Sequence, residues 1–507
     1  MAHAPRTATA PATPAIGGIQ FPTGADGQRS SSATGKAIFG AALAVLDAPA
    51  AASLQAERNW RKRYAQHLHH LTAAMLAQPE QTAAAAQAGL DATHAAFVFS
   101  RDGAERPLAQ AMAQPSSALK TSEIPGRAAP AGWTVPYRGQ SLSGDALRRQ
   151  IDDWLARELL EPGAAAALHR ASGEPGWFDL RDRSIALLGA GAEAGPLRWL
   201  TAWGARVAAI DLPREAIFTR IRSLAEQGAG TVLAPQAAEG AVPGADLLAD
   251  TPELAAWLCE VFAPPSGELD LLALAYADGE RHARVAVAMD ALIAAVQVRH
   301  PKAGVGFLAT PTDSFAVPPE VAAAGRARWA ARGVGARLAH ALSAGQAFAP
   351  NLTESIDVAG QAWSITECSV LQQGPNYALA KRLQHWRALA SAAAGRAVSI
   401  NVAPSTNTWS VVKNRLLAAG FAGADLFGVE VFEPETTNAL MAALWVHDLR
   451  TRSAPSAAAA RPAVGAAHPL ALLSHQSFHG GLWRLPYVPA SALAVAALAG
   501  LARGRKH

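Results

Sequence analysis

Short apolar runs alternate with longer amphipathic segments between residues 184 and 402. A short run without polar alternation is typical of a strand that is buried on both faces of a sheet. Strands that alternate with helices predict the α/β class, with a parallel, doubly wound (Rossmann-like) sheet. The predicted strands are 184–188, 206–210, 246–250, 269–276, 304–310 and 397–402.

The first 180 residues have a different pattern. Residues 1–34 are rich in Ala, Thr, Pro, Gly and Ser and predict a disordered tail. Residues 35–180 predict a mainly helical N-terminal region, although the prolines of 101–140 favour loop. We therefore divide the chain into the tail (1–34), the helical region (35–180), a Rossmann-like domain (181–450, with an insertion at 319–360) and a C-terminal lid or tail (451–507).

Composition excludes several classes of function. The 507 residues are 50% hydrophobic and carry a formal net charge of +4, without basic clusters that are interleaved with aromatic residues, so we expect no nucleic-acid partner. No apolar run approaches the roughly 20 residues of a membrane span. The two cysteines, Cys259 and Cys368, suggest a reducing compartment, and the N-terminus lacks the pattern of a signal peptide. A cytoplasmic location follows as an expectation.

A basic patch on a predicted helix precedes three closely spaced histidines. We interpret both groups as a solvated helix face, since no acidic or cysteine partner for a metal ion is nearby in the sequence. The basic residues are Arg58, Arg61, Lys62 and Arg63, and the histidines are His67, His69 and His70.

Three glycines follow the first predicted strand of the doubly wound region. Gly189, Gly191 and Gly195 allow a sharp turn, and Pro196 suits the first turn of a helix. Asp211 ends the next strand, 20 positions after Gly191 (211 − 191). Such a turn brings a pyrophosphate close to the backbone N–H groups at a helix N-terminus, and the acid can hold a ribose diol. Together they predict a dinucleotide-binding unit.

Tyr377 and Lys381 are four residues apart on a predicted helix, so they share one face. An ammonium group beside a phenol favours the phenolate, which lowers the tyrosine pKa towards the range useful for proton transfer to a carbonyl oxygen. Taken alone, such a pair is more often an ordinary surface contact. Here it lies downstream of the glycine turn and is followed by a strand and a proline-centred turn.

With these motifs in place, residues 183–450 resemble the short-chain dehydrogenase/reductase family. The resemblance implies that Tyr377 is the acid/base and that Lys381 binds the nicotinamide ribose while lowering the tyrosine pKa. It also implies a set of cofactor-binding residues along the carboxyl edge of the sheet. These are Gly189 and Gly195 in the glycine turn, with Gly191 as an additional glycine, Asp211 on the ribose, Asp250 near adenine, Gly279 after the fourth strand, and Pro404 and Thr408 beside the nicotinamide amide.

The sequence departs from the family pattern at two places. Glu193 stands where the family has its middle glycine, and its carboxylate would repel a pyrophosphate unless it points away. The catalytic serine is displaced, because the insertion separates the strand end from the tyrosine. Thr310, Thr312 and Ser314 lie near the strand end, whereas Ser364 has the spacing, 13 before Tyr377 (377 − 364). Strand topology favours Thr310.

The predicted function is an NAD(P)-dependent oxidoreductase that transfers a hydride between nicotinamide and an alcohol or carbonyl substrate. Asp211 disfavours a 2′-phosphate and so favours NAD. Arg214 could instead accommodate that phosphate, so NADP is the alternative cofactor. The C-terminal segment around Trp483 suggests a lid over a hydrophobic substrate, and we expect no metal at His475 and His479. Members of the family often form dimers or tetramers through the helix that carries the tyrosine. The resemblance therefore makes a homo-oligomer one expectation, although the insertion could block that contact. The alternative is a catalytically inactive dinucleotide-binding sensor or scaffold.

Overall fold

A computed structural model describes residues 17–504, except 114–116, 194, 264–267, 371, 414 and 453–467. Its strands are β1 (Gly18–Gln20), β2 (Val98–Arg101), β3 (Ala104–Pro107), β4 (Lys120–Pro125), β5 (Val135–Tyr137), β6 (Gln140–Leu142), β7 (Arg183–Leu188), β8 (Arg206–Ile210), β9 (Thr231–Gln236), β10 (Glu268–Ala273), β11 (Gly304–Ala309), β12 (Ser314–Val317), β13 (Ile356–Val358), β14 (Gln361–Glu367) and β15 (Val398–Val402).

Helices connect many of these strands, and several helices follow one another directly. They are α1 (Ser31–Ala44), α2 (Ala48–Ala56), α3 (Trp60–Ala77), α4 (Thr82–Ala96), α5 (Leu108–Met112), α6 (Gly144–Ala156), α7 (Pro162–Gly173), α8 (Leu197–Ala202), α9 (Glu215–Glu226), α10 (Thr251–Val261), α11 (Gly279–Arg299), α12 (Pro319–Ala330), α13 (Val334–Leu342), α14 (Gly374–Ala393), α15 (Trp409–Val412), α16 (Arg415–Ala422), α17 (Pro434–Arg452), α18 (Ala471–Ser474) and α19 (Pro489–Gly504). Short 3-10 turns include Pro79–Gln81, Pro175–Phe178, Ala424–Phe427 and Leu482–Arg484.

A seven-stranded sheet organises the molecule in the order β15-β11-β10-β7-β8-β9-β4. The first six strands of that order are parallel, and β4 pairs antiparallel with β9 at the edge. The α/β class with a mostly parallel sheet is therefore confirmed, and the strand order is compatible with the predicted Rossmann-like fold. Chain order reverses on either side of β7, and ligands of open α/β sheets bind at the carboxyl ends of the strands beside such a reversal.

Each face of the sheet carries its own hydrophobic core, because successive side chains of a strand point to opposite faces. In β7, Ala186 and Leu188 join a core that includes residues of α1, α3, α4, α11 and α14. Ile185 and Leu187 join a second core with residues of α6, α7, α8, α9 and α17. Both faces are covered, which explains why the sequences of these strands are mainly apolar.

One predicted strand was wrong. Residues 246–250 form a turn, and the third parallel strand is β9, Thr231–Gln236. In the turn, the carboxylate of Asp250 accepts the N–H of Asp246 at 2.8 Å, and the carboxylate of Asp246 accepts the N–H of Leu248 at 2.8 Å. Such local side-chain bonds compete with strand pairing, which apolar content alone does not reveal.

Between residues 35 and 180, helices α1 to α7 are accompanied by the short strands β2 to β6. Strand β1 lies inside the segment 1–34, so the predicted disorder does not hold for residues 17–34, whereas 1–16 lie outside the described residues. Ile19 donates its N–H to the carbonyl of Leu248 at 3.0 Å, and Phe21 packs on Phe97. The proline-containing segment 101–140 supplies the edge strand β4 instead of a linker.

The insertion between β11 and α14 is larger than the predicted 319–360. It contains α12, α13 and a three-stranded antiparallel sheet in the order β12-β14-β13. Helix α14 then runs between the insertion and β15 and packs against α1, α4 and α11. The helix at which pairing was expected from the resemblance is thus packed against N-terminal helices of its own chain. Among the described residues, no helix has both the length and the apolar character that crossing a membrane requires.

Candidate functional site

Tyr377 lies in the first turn of α14, facing the end of β11. It lines one cavity together with Thr310, Thr312 and Gln373, whose side chains act to lower the pKa of its phenol. The hydroxyls of Thr310 and Thr312 are 2.7 Å apart, and Thr312 donates to the amide oxygen of Gln373 at 2.9 Å. Sequence spacing had left the hydroxyl partner open, and the structure places Thr310 there. Ser364, by contrast, donates to the carbonyl of Glu354 at 2.6 Å.

Lys381 follows one helical turn after Tyr377. Its ammonium donates to the carbonyl of Leu308 at 3.2 Å and to the amide oxygen of Gln384 at 3.3 Å. The ammonium lies 5.9 Å from the centre of the Tyr377 ring. The ammonium of Lys381 therefore lies on the side of the Tyr377 ring, while the side chains of Thr310, Thr312 and Gln373 near Tyr377 are neutral.

The acid–base properties of the pair differ from those predicted. Burial raises the pKa of Tyr377 to about 12, and the hydrogen bonds from Thr310, Thr312 and Gln373 only partly oppose this effect. Burial also lowers the pKa of Lys381 to about 8, opposed by the carboxylate of Asp313. The prediction of a lowered tyrosine pKa was thus wrong, because desolvation of the phenol outweighs the field of a lysine that is itself desolvated.

The space in front of Tyr377 is small. The enclosed cavity has a volume of about 10 Å³, which is room for about one water molecule. Its walls include Tyr64 from α3, Asp313 and Ser369 from the insertion, and Gln373. The N-terminal region and the insertion together close the cleft that an extended substrate would need.

Asp313, a wall of this cavity, forms a buried ion pair with Arg382. Asp313, 3% exposed, accepts a hydrogen bond from Arg382 at 2.8 Å, and Arg382 also donates to the hydroxyl of Thr72 on α3 at 3.0 Å. The second carboxylate oxygen of Asp313 has no hydrogen-bond partner among the described residues. Burial raises the pKa of Asp313. His282 packs on Tyr377 with ring centres 5.4 Å apart, and burial lowers its pKa to about 3, so it is neutral near pH 7.

The glycine turn borders the same edge of the sheet. Gly189 has φ +95°, and its N–H donates to the carbonyl of Ile210 at 2.9 Å. A Cβ on Gly189 would lie 2.5 Å from the backbone of Ala275, so only glycine fits there. The next residue, Tyr276, has its ring 6.4 Å from the ring of Tyr377. The side chain of Tyr276 therefore lies between the glycine turn and Tyr377.

Asp211 closes the glycine turn. Its two carboxylate oxygens accept the N–H groups of Gly191 and of Leu212, each at 2.8 Å. Gly195 donates to the carbonyl of Ala192 at 3.0 Å, within the turn. Each carboxylate oxygen can accept a second hydrogen bond, so Asp211 retains capacity for a ribose diol.

Glu193 projects from the turn across the mouth of the site. Its carboxylate accepts the N–H of Trp409, the first residue of α15, at 2.9 Å. This contact links the glycine turn to the loop after β15, which contains Pro404 and Thr408. A pyrophosphate between the two loops would meet the carboxylate of Glu193, which is exposed.

Asp250 and Gly279 are two further residues that were predicted to bind the cofactor. Asp250 caps α10 on the carboxyl side of the sheet but lies 14 residues beyond the end of β9 (250 − 236), so its assignment as the residue that directly follows the third strand was wrong. Gly279, φ +60°, is the first residue of α11, and a Cβ there would meet nothing within 4 Å.

The C-terminal segment around Trp483 is part of the protein interior, whereas a lid over the site was predicted. Trp483 and His479 are 0% exposed. His479 lies 2.9 Å from the carboxylate of Glu161, which also accepts a hydrogen bond from Arg484 at 2.7 Å. Stacked and paired side chains fix this segment, and residues 453–467 lie outside the described residues. The described residues contain no group of three or more His, Cys, Asp or Glu side chains that could hold a metal ion.

Sequence reasoning missed several residues of the site. Tyr64 gave no signal, because it lies in a helical region that precedes β7 by more than a hundred positions. Gln373 and Asp313 are neighbours of the recognised motifs, and their polar character at a strand end and a helix start was the available clue. No protein-family model matches the chain, and neither does any curated protein sequence.

Proposed function

We propose that this protein is a nicotinamide-dinucleotide-dependent oxidoreductase acting on a carbonyl or alcohol. The observation that carries the proposal is the meeting of Tyr377, Lys381 and Thr310 at the carboxyl edge of a doubly wound sheet, beside the turn at Gly189. A proton donor, a cation and a second hydroxyl next to a dinucleotide-type turn are the groups that such a reaction requires.

The residues at the turn fit a dinucleotide in part. Gly189 and Gly191 keep the backbone open to a diphosphate, and Asp211 retains lone pairs for a ribose diol and disfavours a 2′-phosphate, which supports NAD over NADP. Glu193 has to leave Trp409 for the diphosphate to enter. A bound nicotinamide would supply or accept the hydride, and the remaining steps fall to the chain itself.

The protonation state of Tyr377 favours one direction. With a pKa raised to about 12, the phenol is protonated at neutral pH and can donate its proton to a carbonyl oxygen. Thr310 would orient that oxygen, since its hydroxyl lies within hydrogen-bonding reach of the phenol. Oxidation of an alcohol would need the phenolate, which this environment disfavours. The proposed reaction is therefore carbonyl reduction.

Substrate entry requires movement, because the cavity holds about one water molecule. Tyr64 and Gln373 form the walls that have to separate. A hydrophobic substrate suits the aromatic surroundings of Tyr276 and Tyr64.

The first test is a titration with NADH, and in parallel with NADPH, that follows nicotinamide fluorescence. We expect NADH to bind the wild-type protein and not to bind the Gly189→Asp variant, because the new side chain meets Ala275.

The second test is activity, for which carbonyl compounds are screened by NADH consumption. Tyr377→Phe should keep NADH binding and lower turnover by about a hundredfold or more, while Tyr276→Phe, the matched control, keeps both. A wild-type protein that binds neither dinucleotide would contradict the proposal.

A second candidate function is a catalytically inactive dinucleotide-binding sensor or scaffold. The contact between Glu193 and Trp409 and the filled cleft favour it. Glu193→Ala separates the two candidates. If wild type and Glu193→Ala both bind NADH but neither consumes it with any carbonyl compound, the scaffold function is the better account.

A further inference from the structure

A second concave surface lies between the N-terminal ends of α1 and α3. It is a groove with a volume of about 600 Å³, within the range of small-molecule sites. It includes Arg58, Arg61 and Lys62, three of the four basic residues that the sequence had suggested to be an ordinary solvated helix face. Its lining residues are Ser30, Ser32, Ala33, Lys36, Ala56, Glu57, Arg58, Asn59, Trp60, Arg61 and Lys62.

The groove is strongly cationic. Four basic side chains line it, against one acid, Glu57. That carboxylate accepts the N–H of Asn59 at 2.6 Å and lies 3.4 Å from Arg63 and 3.5 Å from His67, neither of which lines the groove. Its charge is therefore engaged outside the groove.

Contacts between α1 and the C-terminal end of α2 hold the groove in shape. The ammonium of Lys36 donates to the carbonyls of Gln55 at 2.9 Å and Glu57 at 3.1 Å, and the amide of Gln55 donates back to the carbonyl of Lys36 at 2.7 Å. Arg58 and Lys62 are exposed and make no ion pair with any described residue. Their charges are therefore available to a ligand.

The groove adjoins the Tyr377 cavity through one face of α3. A Cβ on Gly374 would lie 3.0 Å from a terminal nitrogen of Arg61, so this guanidinium rests against the start of the helix that carries Tyr377. Tyr64, three residues after Arg61 and on the same face, forms a wall of the cavity.

We propose that this groove binds a small molecule that carries a phosphate or diphosphate group. Four cations around one concave surface match a dianion, and arginine matches phosphate geometry in two parallel hydrogen bonds. A single-stranded nucleic acid would need exposed aromatic side chains for stacking, and the aromatic residue in the lining, Trp60, is buried. The site does not depend on the oxidoreductase proposal, since none of its lining residues belongs to the glycine turn.

The test is calorimetric titration of the full chain with inorganic pyrophosphate at low salt. We expect binding that weakens at least tenfold in the double variant Arg58→Gln, Lys62→Gln. The matched control is Arg148→Gln, Arg149→Gln on α6, which removes the same charge from the other face of the molecule and should bind as the wild type does. If the double variant does not fold, the two single variants should each show a smaller loss in the same direction.

Three results would overturn the assignment. They are no binding of pyrophosphate by the wild type, equal weakening in the control pair, and tighter binding of a single-stranded oligonucleotide that the Arg58 and Lys62 substitutions abolish. NADH titration of the same variants keeps the two proposals apart, because the groove substitutions should leave NADH affinity unchanged and Gly189→Asp should leave pyrophosphate affinity unchanged.

Discussion

The ammonium of Lys381 is subject to two opposing effects. Burial removes it from water and favours the neutral amine, while the carboxylate of Asp313 favours the charged form. Burial is the larger effect, and the pKa of Lys381 falls from 10.5 to about 8. In the folded state the side chain is therefore close to losing its charge at mildly alkaline pH, which ties the stability of the protein to pH.

We predict that Lys381→Met removes a pH dependence of stability. Between pH 8 and 10.5 the unfolded chain holds the lysine proton more tightly than the folded one, so the contribution of Lys381 to stability rises with pH over this window. At pH 7 the burial of the charged lysine lowers the free energy of unfolding by up to about 3 kcal/mol, at about 1.4 kcal/mol per pKa unit. The hydrogen bonds to Leu308 and Gln384 offset part of this cost. The variant should therefore equal or exceed the wild type in stability at pH 7.

Urea unfolding at pH 7 and at pH 10 measures this difference. The advantage of the variant should shrink at pH 10. Lys120→Met, at an exposed position of β4, is the control and should show no comparable change between the two pH values. An advantage of Lys381→Met that is constant, or that grows with pH, would contradict the assignment.

Helices α4 and α14 approach each other closely because of a glycine. A Cβ on Gly89 would lie 2.5 Å from the ring of Trp386, which also packs on Phe39 with ring centres 5.7 Å apart. The small residue lets the N-terminal helices lie directly on the helix that carries Tyr377. The contact decides which surface of α14 is left for any partner.

We predict that Gly89→Ala destabilises the protein. Overpacking against a tryptophan costs about 1–3 kcal/mol, which exceeds the gain of up to about 1 kcal/mol in helix propensity. Gly335→Ala on α13 is the matched control, because a Cβ there meets nothing within 4 Å. It should stabilise slightly. Thermal unfolding of both variants measures the difference, and a stabilised Gly89→Ala would mean that Trp386 can move away freely.

At the scale of the whole molecule, a buried charge cluster joins the N-terminal helices to the sheet domain. Asp290 on α11 is paired with Arg387 on α14 at 2.6 Å and lies 2.7 Å from His94 on α4. Arg387 holds the pKa of the Asp290 carboxyl well below its usual range, against the effect of burial. Together with the shared core, this cluster makes the N-terminal helices part of the same folded unit as the sheet.

We predict that Asp290→Asn costs about 3–5 kcal/mol, because it leaves Arg387 buried without its counter-charge. Urea unfolding followed by both far-UV circular dichroism and tryptophan fluorescence should show one transition at a lower midpoint. Glu226→Gln, which removes the partner of the exposed Arg127, should change stability by less than about 1 kcal/mol. Two separate transitions in the wild type would show that the N-terminal helices fold independently.

The sequence by itself determined the features that depend on near neighbours along the chain. The runs at β7, β8, β10, β11 and β15 are mainly apolar, since strands covered on both faces admit few polar residues, and their order predicts the parallel sheet. The glycine at the end of β7 and the four-residue spacing of Tyr377 and Lys381 are equally local. These local signals suffice to identify both motifs.

The tertiary structure decided what depends on distant contacts. Strand β9 and the edge strand β4 form because neighbours supply hydrogen bonds, and β1 is ordered because it packs on residues near Leu248. The pKa values of Tyr377 and Lys381 are set by a wall from α3 and by the insertion, which no local pattern reveals. Spacing fixes which side chains share a face of an element, whereas burial depends on which elements pack together, and in this protein burial closes the site and reverses the expected shift of its tyrosine.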